Sequence, residues 1–204
     1  MSFSGSYAEA GAVADEVIDL ADEKATAIWK GFGMMELGAT LALSGKAKDA
    51  VQVINAGIET YRSTGATVFL PFYLPLLGTA YAQLGQFDDA WRCIHEAMTA
   101  VKMTKETWCE AEVHRLAGEI ALKSPDSEAT KTETYYRSAL DIAQQQQAKS
   151  WELRAAMSLA RLWRSQGKPQ QARELLAPVY GWFTEGFDTR DLKEAKVLLD
   201  ELAS

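Results

Sequence analysis

Four side chains have the types that metal binding or nucleophilic catalysis requires: His95, His114, Cys93 and Cys109. They are the only histidines and cysteines of the chain. Their spacing matches no recognised set of metal ligands, and no base with an orienting partner accompanies either thiol. We therefore interpret all four as helix-packing residues and expect neither a metal site nor a catalytic nucleophile.

The segment 38–46 begins with glycine and ends in Ser-Gly-Lys, as a phosphate-binding loop does. Six residues separate its two glycines where that loop has four, and Ala47 stands where a Mg²⁺-binding hydroxyl belongs. Carboxylate pairs such as Asp15 and Glu16 lie in charged segments, where solvated surface is the usual explanation. Without a convergent set of polar groups, the chain is predicted to be non-catalytic and to use no cofactor.

Composition limits the remaining classes of protein. The 204 residues are 48% hydrophobic and 24% charged, which is enough material for the core of one domain or a short repeat array. The start lacks the features of a signal peptide, no apolar run would span a membrane, and two cysteines fit a reducing compartment. The net charge is −7, without a Lys/Arg cluster. We predict a cytoplasmic protein that binds neither membrane nor nucleic acid.

The strongest pattern in the sequence is a repeat of about 40 residues. Counting from Gly78, aromatic, small and aliphatic residues fall at offsets 3, 7, 9, 12, 16 and 19, as in tetratricopeptide repeats. The same offsets fit from Gly38 and Ala160, and from Gly118 if its turn has two extra residues. In stacked helix hairpins, small residues allow close helix approach and the second glycine ends the first helix in the left-handed conformation.

We therefore predict an all-α fold, a tetratricopeptide-like solenoid of helical hairpins that forms a single domain over 1–204. Four repeats are predicted at about 24–63, 69–103, 105–147 and 150–184, followed by a C-terminal helix at about 189–203. Their paired helices are predicted at about 24–44 and 46–63, 69–84 and 86–103, 105–123 and 128–147, and 150–166 and 168–184. Pro75 is expected to kink its helix or delay its start.

The acidic stretch from Tyr7 to Glu23 is predicted to form a further helix, with apolar residues on one face. Two interpretations of this helix stay open. It is either a polar end cap of the array or the second helix of a hairpin whose first helix lies upstream.

In stacked hairpins, the first helix of each pair lines the concave side, so a binding groove is predicted from offsets to the anchor residues. The predicted groove residues are Phe32, Met35, Phe72, Glu112, Arg115, Glu119, Arg154, Met157, Arg161 and Arg164. The first half is apolar, whereas the arginines of the second half suit an amphipathic or acidic peptide. The alternative is that the arginines pair with neighbouring glutamates and an adjoining domain covers the apolar residues.

The stretch from Ala148 to Leu202, which contains PVYGWFTEGFDT, resembles the C-terminal end of bacterial multidomain signalling proteins. These are the adenylate/guanylate cyclase and predicted-ATPase proteins, and the resemblance extends over nearly all of the chain, including AEVHRLAGEIAL. In that family, a cyclase or DNA-binding domain precedes an ATPase module, and a tetratricopeptide array closes the chain.

The resemblance implies a regulatory region that binds a protein, a peptide or another domain of the same polypeptide. It does not imply catalysis by this chain, because the family's metal-binding aspartates and phosphate loop have no matching positions here. A free-standing tetratricopeptide adaptor is the alternative, and the sequence leaves the oligomeric state open.

Overall fold

The computed structural model describes residues 7–126 and 128–203, and all regular secondary structure in these residues is α-helical. The helices are α1 (Tyr7–Glu23), α2 (Ala27–Leu43), α3 (Ala47–Ser63), α4 (Leu70–Gln83), α5 (Phe87–Thr104), α6 (Glu110–Lys123), α7 (Ala129–Gln145), α8 (Lys149–Ser165), α9 (Pro169–Gly181) and α10 (Arg190–Glu201). The all-α class predicted from the sequence is confirmed.

Five connections between helices contain only three residues, and the middle residue of each has a left-handed backbone. These middle residues are Ala25, Gly45, Gly85, Gln147 and Gly167, with φ between 51° and 80°. In every case, the amide of the third residue donates to a carbonyl five residues back at 2.9 to 3.0 Å. This is the Schellman arrangement, which satisfies carbonyls at a helix end while the chain reverses.

The left-handed residues also keep a regular distance along the chain. Ala25, Gly45, Gly65, Gly85 and Lys105 follow one another every 20 residues. Each helix and its connection therefore occupy 20 residues. Residues 40 positions apart lie at equivalent sites of successive hairpins.

Equivalent sites on the second helix of each hairpin are buried. Ala50, Ala90 and Ala172 are fully buried, as are the residues four positions later, which are Ile54, Ile94 and Leu176. In α7, the corresponding residues are Thr132 and Tyr136, also buried. One apolar face per helix thus packs against its neighbour, as amphipathic helices require.

Two glycines set the closest approach of α2 and α3. A Cβ on Gly31 would lie 2.7 Å from the backbone nitrogen of Tyr61, and one on Gly57 would lie 2.9 Å from that of Met35. No side chain fits at such distances, so these helices pack backbone to backbone.

The chain divides into two compact units. The N-terminal unit contains α1 to α5 and the connection that ends at Cys109, and the C-terminal unit contains α6 to α10. In the C-terminal unit, α7, α8, α9 and α10 share one hydrophobic core.

Three predicted helix ends differ from the structure by three residues or more. Helix α2 begins at Ala27 and not at about 24. Helix α6 begins at Glu110, five residues after the predicted start, because Lys105 is left-handed with φ 63° and ends α5 there. Helix α9 ends at Gly181 and not near 184. Pro75 lies inside α4, which begins at Leu70, so it does not delay the helix. The whole stretch 70–78 around Pro75 is buried.

Thr132 occupies the site of the buried alanine, and its hydroxyl oxygen is buried without a hydrogen-bond partner. We expect Thr132→Val, which keeps the shape and removes that hydroxyl, to raise the free energy of unfolding by about 1 kcal/mol. The control is Ser158→Ala, because the Ser158 hydroxyl is also buried but donates to Glu119 at 3.0 Å. Urea denaturation measures both variants. A stabilising Ser158→Ala or a destabilising Thr132→Val would contradict this assignment.

Candidate functional site

The predicted groove residues fall into both units, and four of them are buried. Met35, Phe72, Glu112 and Met157 are each at most 6% exposed. These side chains build the interior and present almost no surface to a ligand. Phe32 is partly exposed and lies in the N-terminal unit, whereas the arginines all lie in the C-terminal unit.

Arg115 on α6 is held by two carboxylates of its own helix. Its Nε and Nη2 donate to the two carboxylate oxygens of Glu112, both at 2.7 Å, and its Nη1 donates to Glu119 at 3.2 Å. Ser158 on α8 donates to Glu119 and thereby joins the two helices. Because Arg115 binds Glu112 through two hydrogen bonds and Glu119 through a third, its guanidinium has few N–H donors left for a ligand.

Arg154 on α8 connects three helices. Its Nε donates to Oδ2 of Asp191 on α10 at 2.6 Å, and its Nη1 lies 3.7 Å from Glu112 on α6. Its guanidinium also lies over the ring of Trp151, 5.2 Å from the centroid. Arg154 is therefore a structural link that is only 14% exposed.

The arginines keep the buried Glu112 ionised. Burial raises the pKa of Glu112, but the charge and hydrogen bonds of Arg115 and the charge of Arg154 outweigh it and hold the pKa below its ordinary value. For Arg115, burial lowers the pKa, yet the charge and hydrogen bonds of Glu112 raise it above its usual range. The pair stays charged on both sides, which a buried ion pair needs for stability.

The remaining groove arginines also pair within the chain. Arg161 donates to Glu194 at 3.0 Å, and Arg164 contacts Glu201. Together with Asp191, these partners all lie on α10, 33 to 37 residues beyond the arginines. Pairing of the arginines with carboxylates of the chain, the alternative stated above, is the arrangement observed. Treating α10 as the next first helix of the array would have revealed these partners.

A cleft of about 280 Å³ lies in the C-terminal unit between the start of α8, the connection 182–189 and the start of α10. The distinctive string PVYGWFTEGFDT supplies one wall. The cleft is lined by Ser150, Trp151, Leu153, Arg154, Phe183, Glu185, Gly186, Thr189, Asp191 and Leu192. It is slightly smaller than an ordinary ligand pocket, so it fits a side chain better than a cofactor.

The N-terminal unit carries a continuous set of aromatic rings, which we call the aromatic surface. Neighbouring ring centroids lie 5.4 to 6.5 Å apart, mostly edge to face. The rings belong to Trp29, Phe32, Phe69, Phe72 and Trp108, and among them the ring of Phe72 is buried. Trp29 is 57% exposed and Trp108 is 38% exposed, and the exposed residues Ile28 and Val68 precede two of the rings in sequence.

Three segments position the aromatic surface: the first turns of α2 and α4, and the connection 105–109. Sequence reasoning identified Phe32 and Phe72 but missed Trp29, Phe69 and Trp108. Trp108 was missed because the sequence placed it within a helix. Tryptophans near the predicted starts of two first helices were the sequence signal that could have found Trp29 and Trp108.

Two carboxylates interact with tyrosines that contact residues of the aromatic surface. Glu36 accepts a hydrogen bond at 2.6 Å from the hydroxyl of Tyr73, whose ring packs edge to face on Phe32. Burial, followed by the charge of Glu36, raises the pKa of Tyr73 well above its usual range, so Tyr73 remains a donor. The second carboxylate is Glu106. Burial, followed by the charge of Glu106, raises the pKa of Tyr61, which hydrogen-bonds the backbone of Phe69.

The residues singled out in the sequence for chemistry are the two histidines and the two cysteines. Within residues 7–126 and 128–203, no three His, Cys, Asp or Glu side chains are placed to hold a metal ion. The thiols of Cys93 and Cys109 are buried, and burial raises the pKa of Cys93 to about 12. In the same residues, no helix combines the length and apolar character needed to cross a membrane.

Glu112→Gln removes the negative charge that faces Arg115 and Arg154 in the buried network. We expect a loss of about 3 kcal/mol or more in the free energy of unfolding. The matched control is Glu201→Gln at an exposed ion pair, which should cost about 1 kcal/mol or less. Urea denaturation at pH 7 measures both, and equal losses would contradict the role of burial.

The same network predicts a pH dependence. Because the pKa of Glu112 is lower in the folded protein than its ordinary value of 4.5, its stabilisation is complete above that pH. It is lost as the pH falls below 4.5 toward the folded pKa. Stability between pH 7 and 3 should therefore fall less in Glu112→Gln than in the wild type.

No protein-family model matches the chain, and a search of curated proteins finds no match to it. The resemblance to the repeat regions of cyclase and predicted-ATPase proteins rests on the residues quoted above. Surfaces, charges and ion pairs are therefore the basis on which a function is assigned.

Proposed function

We propose that the chain is a tetratricopeptide-type hairpin array that binds a protein partner and has no catalytic role. The repeated three-residue turns support the repeat type, because Gly45, Gly85 and Gly167 fall seven residues after their anchors and all have positive φ. The resemblance supports the proposal that this chain is the C-terminal part of a bacterial nucleotide cyclase or ATPase signalling protein. It also supports a cytoplasmic location.

The single observation that carries the binding role is the exposed aromatic surface. Soluble proteins seldom expose adjacent large apolar rings without a use for them, and tryptophan is enriched among the residues that dominate binding energy. The arginine half of the predicted groove has fewer groups available to bind a partner. Its arginines already pair with carboxylates of the chain: Arg115, Arg154, Arg161 and Arg164.

The geometry favours a protein segment over a small molecule. The rings extend across three segments of the chain in centroid steps of 5.4 to 6.5 Å, and two tryptophans are open to solvent. A peptide lying over them would bury apolar area at several points at once, which is how helical arrays commonly bind partners.

Trp29→Ala and Trp108→Ala should each weaken peptide binding at least about tenfold, because truncating a central interface tryptophan commonly costs more than about 1.4 kcal/mol. The peptides are selected on the wild-type protein from a displayed library of random 12-residue sequences. Their dissociation constants are then measured by fluorescence anisotropy.

The matched control is Trp182→Ala, since Trp182 is as exposed as Trp29 but belongs to the C-terminal unit. It should leave binding unchanged. Failure of the wild type to enrich any peptide, or equal weakening by all three variants, would refute the aromatic surface as the binding site.

A further inference from the structure

We propose that the outer face of α1 binds an amphipathic helix of a partner protein, and that one edge of this helix carries lysine or arginine at seven-residue spacing. The apolar residues of this face are Ala10, Val13, Val17 and Leu20, which we call the α1 strip. The α1 strip shares no residue with the aromatic surface, so this inference goes beyond the proposed function.

The first observation is that α2 covers only one side of α1. A Cβ on Gly33 of α2 would lie 2.9 Å from Cγ1 of Ile18 and 3.3 Å from the carbonyl oxygen of Ala14. At 100° per residue, the α1 strip points about 100° away from these two residues. Val13 is 59% exposed and Leu20 is 57% exposed. The α1 strip is therefore an apolar face that is open to solvent.

The second observation is that another helix covers the equivalent face of α3. Ala50 lies 40 residues after Ala10 and is fully buried. Gly57 lies 40 residues after Val17, and a Cβ on it would lie 2.9 Å from the backbone nitrogen of Met35 on α2. Because α2 is the first helix of that hairpin, the α1 strip is at the place where a first helix packs. Its spacing of three, four and three residues suits such a helix.

The third observation is the charge along one edge of the α1 strip. Glu9, Glu16 and Glu23 are exposed and follow one another every seven residues, so they lie along the same side of the helix. The ion pair of Glu23 with Lys24 is exposed on both sides and competes only weakly with a partner. The segment 7–23 contains no lysine or arginine.

This charge pattern determines the chemistry of the partner. Charged residues that flank an apolar helix seam decide which helices pair, because opposite charges attract across the seam and like charges repel. A helix with lysine or arginine along its matching edge complements the glutamate row. A second copy of α1 packed antiparallel would instead bring two glutamate rows against each other.

The fourth observation is the contrast with α10. The exposed face of α10 carries Lys193, Lys196 and Asp200 around a single exposed apolar residue, Val197. A polar outer face of this kind is typical of an end cap in a helical array. The α1 strip lacks that character, which favours a docking face over an end cap.

The test uses the full chain and a displayed library of helical peptides three heptads long. The library is randomised at the two core positions and at one edge position of every heptad. We expect the selected peptides to have apolar core positions and lysine or arginine at the edge. Replacing these edge residues with glutamate should weaken binding at least about tenfold, since attraction becomes repulsion. Fluorescence anisotropy measures the dissociation constants.

Two changes in the chain test the edge by charge reversal. Glu16→Lys should weaken the basic peptide at least about threefold and should strengthen the peptide with the glutamate edge. The matched control is Asp15→Lys, which makes the same change of charge on the side of α1 about 180° from the α1 strip. It should alter either dissociation constant by less than about twofold, because contact and not general charge attraction is responsible.

A second pair of variants tests the apolar contact. Val13→Ser combined with Leu20→Ser should weaken binding at least about tenfold, because the change removes apolar area from the centre of the contact. The matched control is Val197→Ser on α10, where an equally exposed valine should be dispensable. Circular dichroism checks that each variant keeps its helix content.

Several outcomes would overturn the inference. Selection of no peptide, selection of peptides without a basic edge, or equal effects of Glu16→Lys and Asp15→Lys would each refute the basic partner helix. Sedimentation equilibrium of the chain alone gives a further test, since self-association that Val13→Ser with Leu20→Ser abolishes would assign the α1 strip to a second copy. Trp108→Ala should not weaken the helical peptides, so failure of the aromatic surface and failure of the α1 strip are told apart.

Discussion

Reversal of the chain within three residues is the constraint on which the rest of the structure depends. At each such turn, a left-handed residue ends one helix. The amide of the next residue donates a hydrogen bond to a helix carbonyl five residues back. The helices of a hairpin are thereby held antiparallel at close range, with only three connecting residues between them. The burial of equivalent residues and the backbone contact between Gly31 and Gly57 both follow from this geometry.

The two units use aromatic and charged residues in contrasting ways. In the C-terminal unit, arginines lie between tryptophan rings and carboxylates, so polar groups near the surface satisfy one another. In the N-terminal unit, Trp29 and Trp108 are exposed to solvent. The first arrangement stabilises the fold, whereas the second leaves apolar area at the surface, which is the basis of the proposed binding role.

The repeat allowed the helices to be predicted because glycine marks several of the turns and the buried positions recur every 40 residues. It failed at Lys105, a residue other than glycine that has the same left-handed backbone. Lys105 carries no signal of that conformation, so the start of α6 and the exposure of Trp108 were both missed. The partners of the groove arginines were missed for another reason. Ion pairs across 33 to 37 residues depend on tertiary placement, which spacing along one helix does not reveal.

The 20-residue interval between left-handed residues determines how such a chain can change in length. Duplication or deletion of a 40-residue block between equivalent turns keeps every inward position inward and simply adds or removes one hairpin. Insertion of one residue within a helix rotates all later side chains of that helix by about 100° and turns its apolar face away from the core. Gene duplication in whole hairpins is thus a path of growth open to this architecture, whereas small insertions are tolerated only in the longer connections.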